Sequence, residues 1–318
     1  MAVSETYKVY HRTAGAAPLA VIQSTESIPK NLGANDVLIK IHSVSLNYRD
    51  AAMIQGTYPG PVLEKGIPAS DAAAEVVAVG SAVQQLKAGD HVSPNFVVNF
   101  LTGDETEPLQ ALGGDIDGVL GERHRMVQHW RLEEPVARTQ LCTGGVSMFA
   151  LLLLIDSGIK TIITSSSDAK IAQIQKLSPL ITGVNYKTHP DISAEVQRIT
   201  NGRGVDIVVN NIGPASIPSN IDSIQAGGSV SIVGFLGGLT ADWNPSELLK
   251  LLFKRGVIRG IAVGTKLDFE ALCAHLANRK IALQPLVDRV FAFDEVKDGL
   301  DYMWAGRHVG KVIVKVAE

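Results

Sequence analysis

Two hydrophobic periods divide this chain. Over its first part, apolar residues recur at every second position. Asp36–Leu46, D-V-L-I-K-I-H-S-V-S-L, sets Val37, Ile39 and Ile41 on one face and predicts a half-buried strand. Ala72–Gly80, A-A-A-E-V-V-A-V-G, predicts another, running on to a Gly89-Asp90 turn and then His91-Val92. Between them a polar loop is expected, with N-Y-R-D at Asn47–Asp50 and Q-G-T-Y-P-G at Gln55–Gly60. Short strands separated by turns suggest a small barrel-like β domain over residues 1–125.

Over residues 126–265 short apolar runs alternate with helical spacing. Met148–Ile155 reads as part of a buried helix, and Thr161–Lys170, T-I-I-T-S-S-S-D-A-K, as a strand ending in hydroxyls. Asp168 is expected to cap a helix carrying Ile171, Ile174 and Leu177, and Asp191 another carrying Ile192, Val196 and Ile199. Val205–Val209 and Gly228–Phe235 read as buried parallel strands. This alternation predicts an α/β fold, a doubly wound parallel sheet with helices on both faces. Ligands of such sheets sit beyond the carboxyl ends of the strands, where Ser165, Ser166, Ser167, Asn211 and Gly234–Gly237 would converge. Toward the C-terminus Asp268 is expected to cap Phe269, Leu272, Cys273 and Leu276. Asp294 is expected to cap Val296, Leu300 and Met303, with Gly306 as a stop before a closing strand at Lys311–Val316.

Composition narrows the classes. Apolar residues make up 46% of 318, which suits a well-buried α/β protein. A net charge of −3 without a basic block argues against nucleic acid as a partner. Cys142 and Cys273 are the only cysteines, so a disulfide framework and a four-cysteine zinc site are excluded and a reducing compartment fits. Cys273 reads as a packed thiol on an apolar helix face. The start M-A-V-S-E-T-Y-K resembles neither a secretory signal nor a transit peptide. The longest apolar run, Met148–Ile155, is eight residues, too short for a bilayer. A cytoplasmic protein without a membrane partner is expected.

The candidate chemistry begins at T-G-G-V-S, Thr143–Ser147, a glycine turn opening a helix ahead of a strand. Glycines let backbone approach a pyrophosphate, and a helix N-terminus offers free N–H groups and the positive end of a dipole. A dinucleotide-binding turn and a plain strand-to-helix turn both fit these residues.

Other motifs accompany it in order: N-Y-R-D, S-D-A-A-A-E-V-V-A-V-G from Ser70, Gly89-Asp90, N-Y-K-T from Asn185, G-F-L-G-G from Gly234 and G-K-V-I-V from Gly310. The series resembles the zinc-independent medium-chain dehydrogenases/reductases, in the quinone oxidoreductase-like branch related to enoyl reductases, over nearly the whole chain. The resemblance implies a GroES-like substrate domain, residues 1–125 completed by 266–318, around a Rossmann-type NADP-binding domain at 126–265. It also implies NADPH as hydride donor, a small-molecule substrate and a homodimer. Gly144, Gly145, Val146, Asn211, Gly234, Phe235, Leu236 and Gly237 are then cofactor contacts. The implied reaction is hydride transfer to a quinone, enal or enoyl group, with zinc-free alcohol or aldehyde reduction as the runner-up.

The residues test parts of this. Zinc-dependent relatives carry a cysteine and a Gly-His-Glu motif where this chain reads N-Y-R-D and Ser70-Asp71-Ala72, and the eight histidines show no ligand spacing, so no metal is expected. An NAD-selective fold has a carboxylate about 20 residues beyond the glycines. Here Thr164, Ser165, Ser166 and Ser167 stand there, followed by Lys170, which would welcome a 2′-phosphate. Lys170 and Tyr186 also match the lysine and tyrosine that grip this phosphate in related reductases. Helix capping is the competing reading of the serines. Tyr58 resembles the proton-donating tyrosine of enoyl-thioester reductases, and packing at a cleft edge is its alternative. Asn47 matches the family's residue on the nicotinamide side, and a turn-forming Asn is its alternative. Trp243 and Tyr302 fit a pocket lining or core packing.

One stretch departs from the family. Gly118–Leu120 is followed closely by a run in which Leu120–Glu134 holds six charges. The candidate first parallel strand, Pro135–Cys142, carries Arg138, Thr139 and Gln140, where a central strand should be apolar. A few tens of residues are absent relative to the family pattern. A cofactor-deficient paralogue, or a product of altered splicing or a gene-model error, is therefore the alternative to a working reductase.

Overall fold

The computed structural model describes residues 5–127 and 144–317. They fall into two compact units, each with its own core. The first comprises Met1–Glu134, Thr265–His275 and Val287–Glu318, and the second Pro135–Gly264 and Leu276–Leu286.

The first unit opens with an antiparallel pair, β1 (Thr6–Arg12) and β2 (Val21–Ser27), and continues with β3 (Asp36–Leu46) and α1 (Tyr48–Ile54). Strands β4 (Asp71–Val79), β5 (His91–Val92) and β6 (Arg123–Val127) follow. Strand β3 is its spine. Val37, Ile39 and Ile41 are buried as their period requires, but the register against β4 shifts between Ile41 and Ser43. Beyond that bulge the buried positions change from odd to even, so Val44 and Leu46 enter the same core. The charged segment Arg123–Val127 pairs antiparallel with β3, a strand that its polarity had concealed.

N-Y-R-D is not a loop. Asn47 is the N-cap of α1, and Ala51–Ile54 are all buried, so tertiary burial carries the segment into a helix.

The second unit begins with α2 (Gly145–Asp156), then β7 (Thr161–Ser165), α3 (Asp168–Gln175), β8 (Ile181–Asn185), α4 (Ile192–Ile199) and β9 (Val205–Asn210). Next come α5 (Ile217–Ser223), β10 (Ile224–Ile232), α6 (Lys250–Lys254) and β11 (Val257–Gly260). Every pairing in this unit is parallel: β7 with β8, and β10 with both β9 and β11. Ile162, Val184 and Val196 form one core, and Val208, Ile217, Ile221, Ile224 and Val230 another. The expected strand Pro135–Cys142 lies outside the described residues.

The chain then runs through α7 (Lys266–Arg279), β12 (Val287–Ala292), α8 (Val296–Trp304) and β13 (Lys311–Lys315). Strand β13 joins the first unit's sheet antiparallel to β3 and parallel to β12.

Several expected caps move. Ser167, not Asp168, caps α3, accepting the Lys170 backbone N–H, and Leu177 lies beyond the helix end at 38% exposure. Helix α7 starts before Asp268, whose carboxylate instead accepts from the Thr265 N–H and hydroxyl, while Thr265 Oγ1 accepts the Asp268 N–H. Cys273 there is half-buried, and the buried residues of α7 are Glu270, paired with Lys266, and His275. Asp294 accepts from Gln23 rather than capping α8. Strand β10 ends at Ile232, so Gly234 and Phe235 belong to the following loop. Asp191 does cap α4, and Gly306, at φ +63°, ends α8 as its position requires.

Candidate functional site

Each unit carries a polar constellation, and the second unit a further group beside its own. That of the first unit is built on α1, where β3 ends. Asn47 projects a side chain already committed on both sides. Its Nδ2 donates to Asp71 Oδ2 at 2.8 Å, and its Oδ1 accepts from Lys311 Nζ. Lys311 Nζ also lies 3.7 Å from Asp71 Oδ2. The amide therefore keeps one N–H and one lone pair for another partner. Below it Asp50, 1% exposed, accepts the Asn47 backbone N–H through Oδ2 at 2.8 Å, while its Oδ1 is buried without a partner. Burial pushes the Asp50 carboxyl up to about 6, opposed by the Asn47 N–H and the Arg49 and Lys311 charges, and reinforced by Asp71.

Arg49, on the first turn of α1, reaches Tyr58. Its Nε donates to the Tyr58 hydroxyl at 3.3 Å and its Nη1 to the Leu112 carbonyl at 2.8 Å. The guanidinium lies 5.3 Å from the centroid of the Tyr58 ring and 4.8 Å from that of Phe96. Two glycines make room for the arrangement. A Cβ on Gly60 would come within 2.8 Å of Tyr58 Cε1, and one on Gly114 within 2.0 Å of Arg49 Nη2.

The constellation of the second unit is mostly backbone. Gly144 caps α2 at φ −81°, and among the described residues a Cβ there would meet nothing within 4 Å. The open first turn carries Gly145 and an exposed Val146. Ser147 behind it is buried, and its hydroxyl accepts from Asn211 Nδ2 at 2.9 Å. The loop that contains Asn211 in turn seats Gly234–Gly237. Leu236 N–H donates to the Asn211 carbonyl at 2.9 Å and Gly237 N–H to the Ile212 carbonyl at 2.8 Å. Gly213 has φ +101°, which favours glycine, and a Cβ there would press within 3.0 Å of the Gly238 carbonyl and 3.1 Å of Phe235 Cα.

A second group gathers where β7 and β8 end. Ser165 faces Asn185 across the pair, and the Tyr186 N–H donates to the Ser165 carbonyl at 3.0 Å. Ser165 Oγ accepts the Ser167 N–H, Ser166 is half-buried and Ser167 starts α3. Lys170 thus shares its neighbourhood with Ser167, while Tyr186 is exposed. Asp168 Oδ1 accepts from Asn185 Nδ2 at 2.8 Å, which engages this carboxylate without the expected capping role.

Trp243 and Tyr302 have structural partners. Trp243 Nε1 donates to the Pro214 carbonyl and Tyr302 to Asp288. Among the described residues no group of three or more His, Cys, Asp or Glu is arranged to hold a metal ion. Arg49, Asp50 and Lys311 were not singled out as site residues from the sequence. The N-Y-R-D and G-K-V-I-V motifs contain all three, so the signal was present without a stated role.

The comparisons agree with this architecture. Residues 33–144 match the alcohol dehydrogenase GroES-like domain, and residues 145–278 match the zinc-binding dehydrogenase domain. A zinc-type alcohol dehydrogenase-like protein of Schizosaccharomyces pombe is 31% identical over 91% of this chain and 93% of its own length. The chain is a medium-chain dehydrogenase/reductase. A probable quinone oxidoreductase of the same yeast is 26% identical, covering 93% of this chain and 94% of its own. An alcohol dehydrogenase-like structure from Sinorhizobium meliloti 1021 superposes with a TM-score of 0.85 at 25% identity, covering 98% of this chain and 99% of its own. The protein is thus an oxidoreductase of a nicotinamide-dependent family, with a GroES-like and a Rossmann-like domain. Among the described residues no helix is long and apolar enough to cross a membrane.

Proposed function

We propose that this medium-chain dehydrogenase/reductase is a zinc-free, NADPH-dependent reductase of small carbonyl-conjugated substrates of the quinone, enal or enoyl type. The observation that carries this reading is the Tyr58 hydroxyl, which accepts from Arg49 and so keeps its own proton for a substrate. Asn47, held by Lys311 and Asp71, offers its remaining N–H to a ribose hydroxyl or a substrate oxygen. The donor set argues against zinc. An amide, two carboxylates and a lysine ammonium make up the Asn47 cluster, and a cation already sits among its oxygens.

NADPH, when bound, supplies hydride. The open N-terminal turn of α2 and the Gly234–Gly237 loop suit a pyrophosphate and the dinucleotide that continues from it. Ser165, Ser166, Ser167, Lys170 and Tyr186 are the contacts this reading assigns to the 2′-phosphate. Asp168 is tied to Asn185, and this favours NADPH over NADH. The proposed homodimer is supported by an apolar exposed strip in the second unit, where Leu252 is 72% and Phe253 83% exposed. A cytoplasmic location remains part of this reading.

A second reading has its own observation. The alignment with the S. pombe relative spans 325 positions yet takes in only 91% of a 318-residue chain, so that relative has segments without a counterpart here. In this reading the chain has the family's outline but has lost cofactor affinity. Titration of the purified protein with NADPH, followed by fluorescence and thermal melting, separates the two. The reductase reading expects a fluorescence change that saturates with NADPH and a melting temperature that keeps rising with its concentration. No response up to millimolar NADPH would overturn it in favour of the second.

A further inference from the structure

We infer that Arg49 is a positioning residue for protonation at carbon: it aims the Tyr58 proton at the substrate and stabilises the phenolate left behind. The inference rests on the proposed reductase reading and deepens it, because it selects carbon–carbon double bonds conjugated to a carbonyl as the substrate class.

The geometry has three parts. First, Arg49 Nε–H occupies a lone pair of the Tyr58 oxygen, and among the described residues no acceptor takes the Tyr58 proton. A phenol that accepts from a cation directs its own hydrogen elsewhere. Second, the guanidinium is fixed independently of Tyr58 by the Leu112 carbonyl and the face of Phe96. It therefore does not reorganise when the proton leaves, which is the condition for electrostatic preorganisation. Third, Gly60 and Gly114 admit the tyrosine ring and the guanidinium where any side chain would displace them.

The chemistry balances. Hydride from the reduced nicotinamide dinucleotide forms a C–H bond at the β-carbon, and the π pair of the double bond moves into the carbonyl as an enolate. Tyr58 Oη then gives its proton to the α-carbon, the phenolate regains one from water, and the dinucleotide ends oxidised. The phenolate is the only new anion on the protein, and Arg49 is the cation beside it. A quinone makes no such demand, since its reduced oxygens take protons from water.

The test uses the full chain with NADPH and two probes, 2-methylbut-2-enal and 1,4-naphthoquinone. Reduction of the enal creates a stereocentre at the α-carbon, so the enantiomer ratio of 2-methylbutanal reports which face is protonated. Arg49→Gln is expected to lower kcat for the enal roughly 100-fold, the scale of a general-acid contribution. Its KM should change little, its enantiomer ratio should erode, and naphthoquinone reduction should fall far less. Arg49→Lys should restore part of the loss. Gly114→Ala, whose Cβ would force the guanidinium off its seat, should reproduce the Arg49→Gln pattern while NADPH affinity and melting temperature hold. Added to Tyr58→Phe, Arg49→Gln should cost little more, because both act through one proton. Equal losses with both probes, an unchanged enantiomer ratio, or additive losses in the double variant would overturn the inference and leave the reductase reading standing. If the unmodified chain reduces neither probe, the reductase reading falls and the inference falls with it.

Discussion

The two constellations are built from opposite materials. In the first unit, side chains hold side chains: Lys311, Asn47 and Asp71 share a chain of hydrogen bonds, with Asp50 beneath and Arg49 gripping Tyr58. In the second unit, backbone does most of the holding. The α2 N-terminus starts at a glycine pair, and Gly234–Gly237 is fixed by main-chain bonds to the Asn211 loop. Chemistry on a substrate needs groups that donate and accept protons, and those are side chains locked in one rotamer. A phosphate needs N–H groups and room, and main chain supplies both. A substitution at a buried charge of the first constellation, such as Asp50, should therefore disturb charge and stability together, whereas one at the glycine turn of the second, such as Gly144, should separate binding from folding.

The strongest test of that contrast is at Asp50. Its folded carboxyl is raised to about 6 by burial, so the stability it contributes is fully present below the unfolded value and lost as pH rises through about 6. The effect is on the order of 3 kcal/mol, since each tenfold change in an acid's dissociation constant is worth about 1.4 kcal/mol. Asp50→Asn removes it, so the variant should gain on the unmodified protein in thermal melts between about pH 4 and about pH 7.5. Arg12, Arg49, Asp71 and Lys311 are the charged groups facing this carboxyl. A gap in melting temperature that stays constant with pH would show that Asp50 is not electrostatically coupled to folding.

A smaller effect is expected at Gly144. Among the described residues a side chain there meets nothing, and its φ is ordinary, so Gly144→Val should melt within a degree or two of the parent. NADPH affinity should fall roughly tenfold, about 1.4 kcal/mol, because the valine fills the space proposed for the pyrophosphate. Calorimetric titration beside a melting curve measures both. Loss of stability in step with affinity would mean that this turn holds the fold rather than the cofactor.

The smallest effect is at Ser167. Ser167→Ala removes the cap of α3, worth about 1 kcal/mol at an N-terminus. If the serines also serve the 2′-phosphate, NADPH affinity should drop while NADH affinity stays level. A uniform loss for both dinucleotides would assign Ser167 to capping alone.

Much of the architecture was legible beforehand. The bounds of β3 follow from its alternation, β7 and β9 from apolar runs between polar ends, and the stop after α8 from Gly306. These features are local: period, capping chemistry and a positive φ act within a few residues. Features set by distant burial were not legible. N-Y-R-D reads as polar loop until Ala51–Ile54 are seen inside the core, and Arg123–Val127 reads as charged linker until β3 pairs with it. The caps at Asp168, Asp268 and Asp294 failed for a related reason. Each carboxylate had another suitor, Asn185, Thr265 or Gln23, and competition between partners is decided in three dimensions.

Family and fold were readable from the chain, through motifs whose order spans it and through two hydrophobic periods with the glycines between them. Which charges meet was settled in three dimensions. Lys311 is 264 residues from Asn47 in the chain, yet β13 lies beside β3 and brings its ammonium onto the amide. Arg49 and Tyr58 are near in sequence, but the Leu112 carbonyl, the Phe96 ring and the space at Gly114 fix the guanidinium against the phenol. Periodicity acts through neighbours along the backbone and is readable from them. Electrostatic partnership depends on distance through space, which sheet pairing and core burial set.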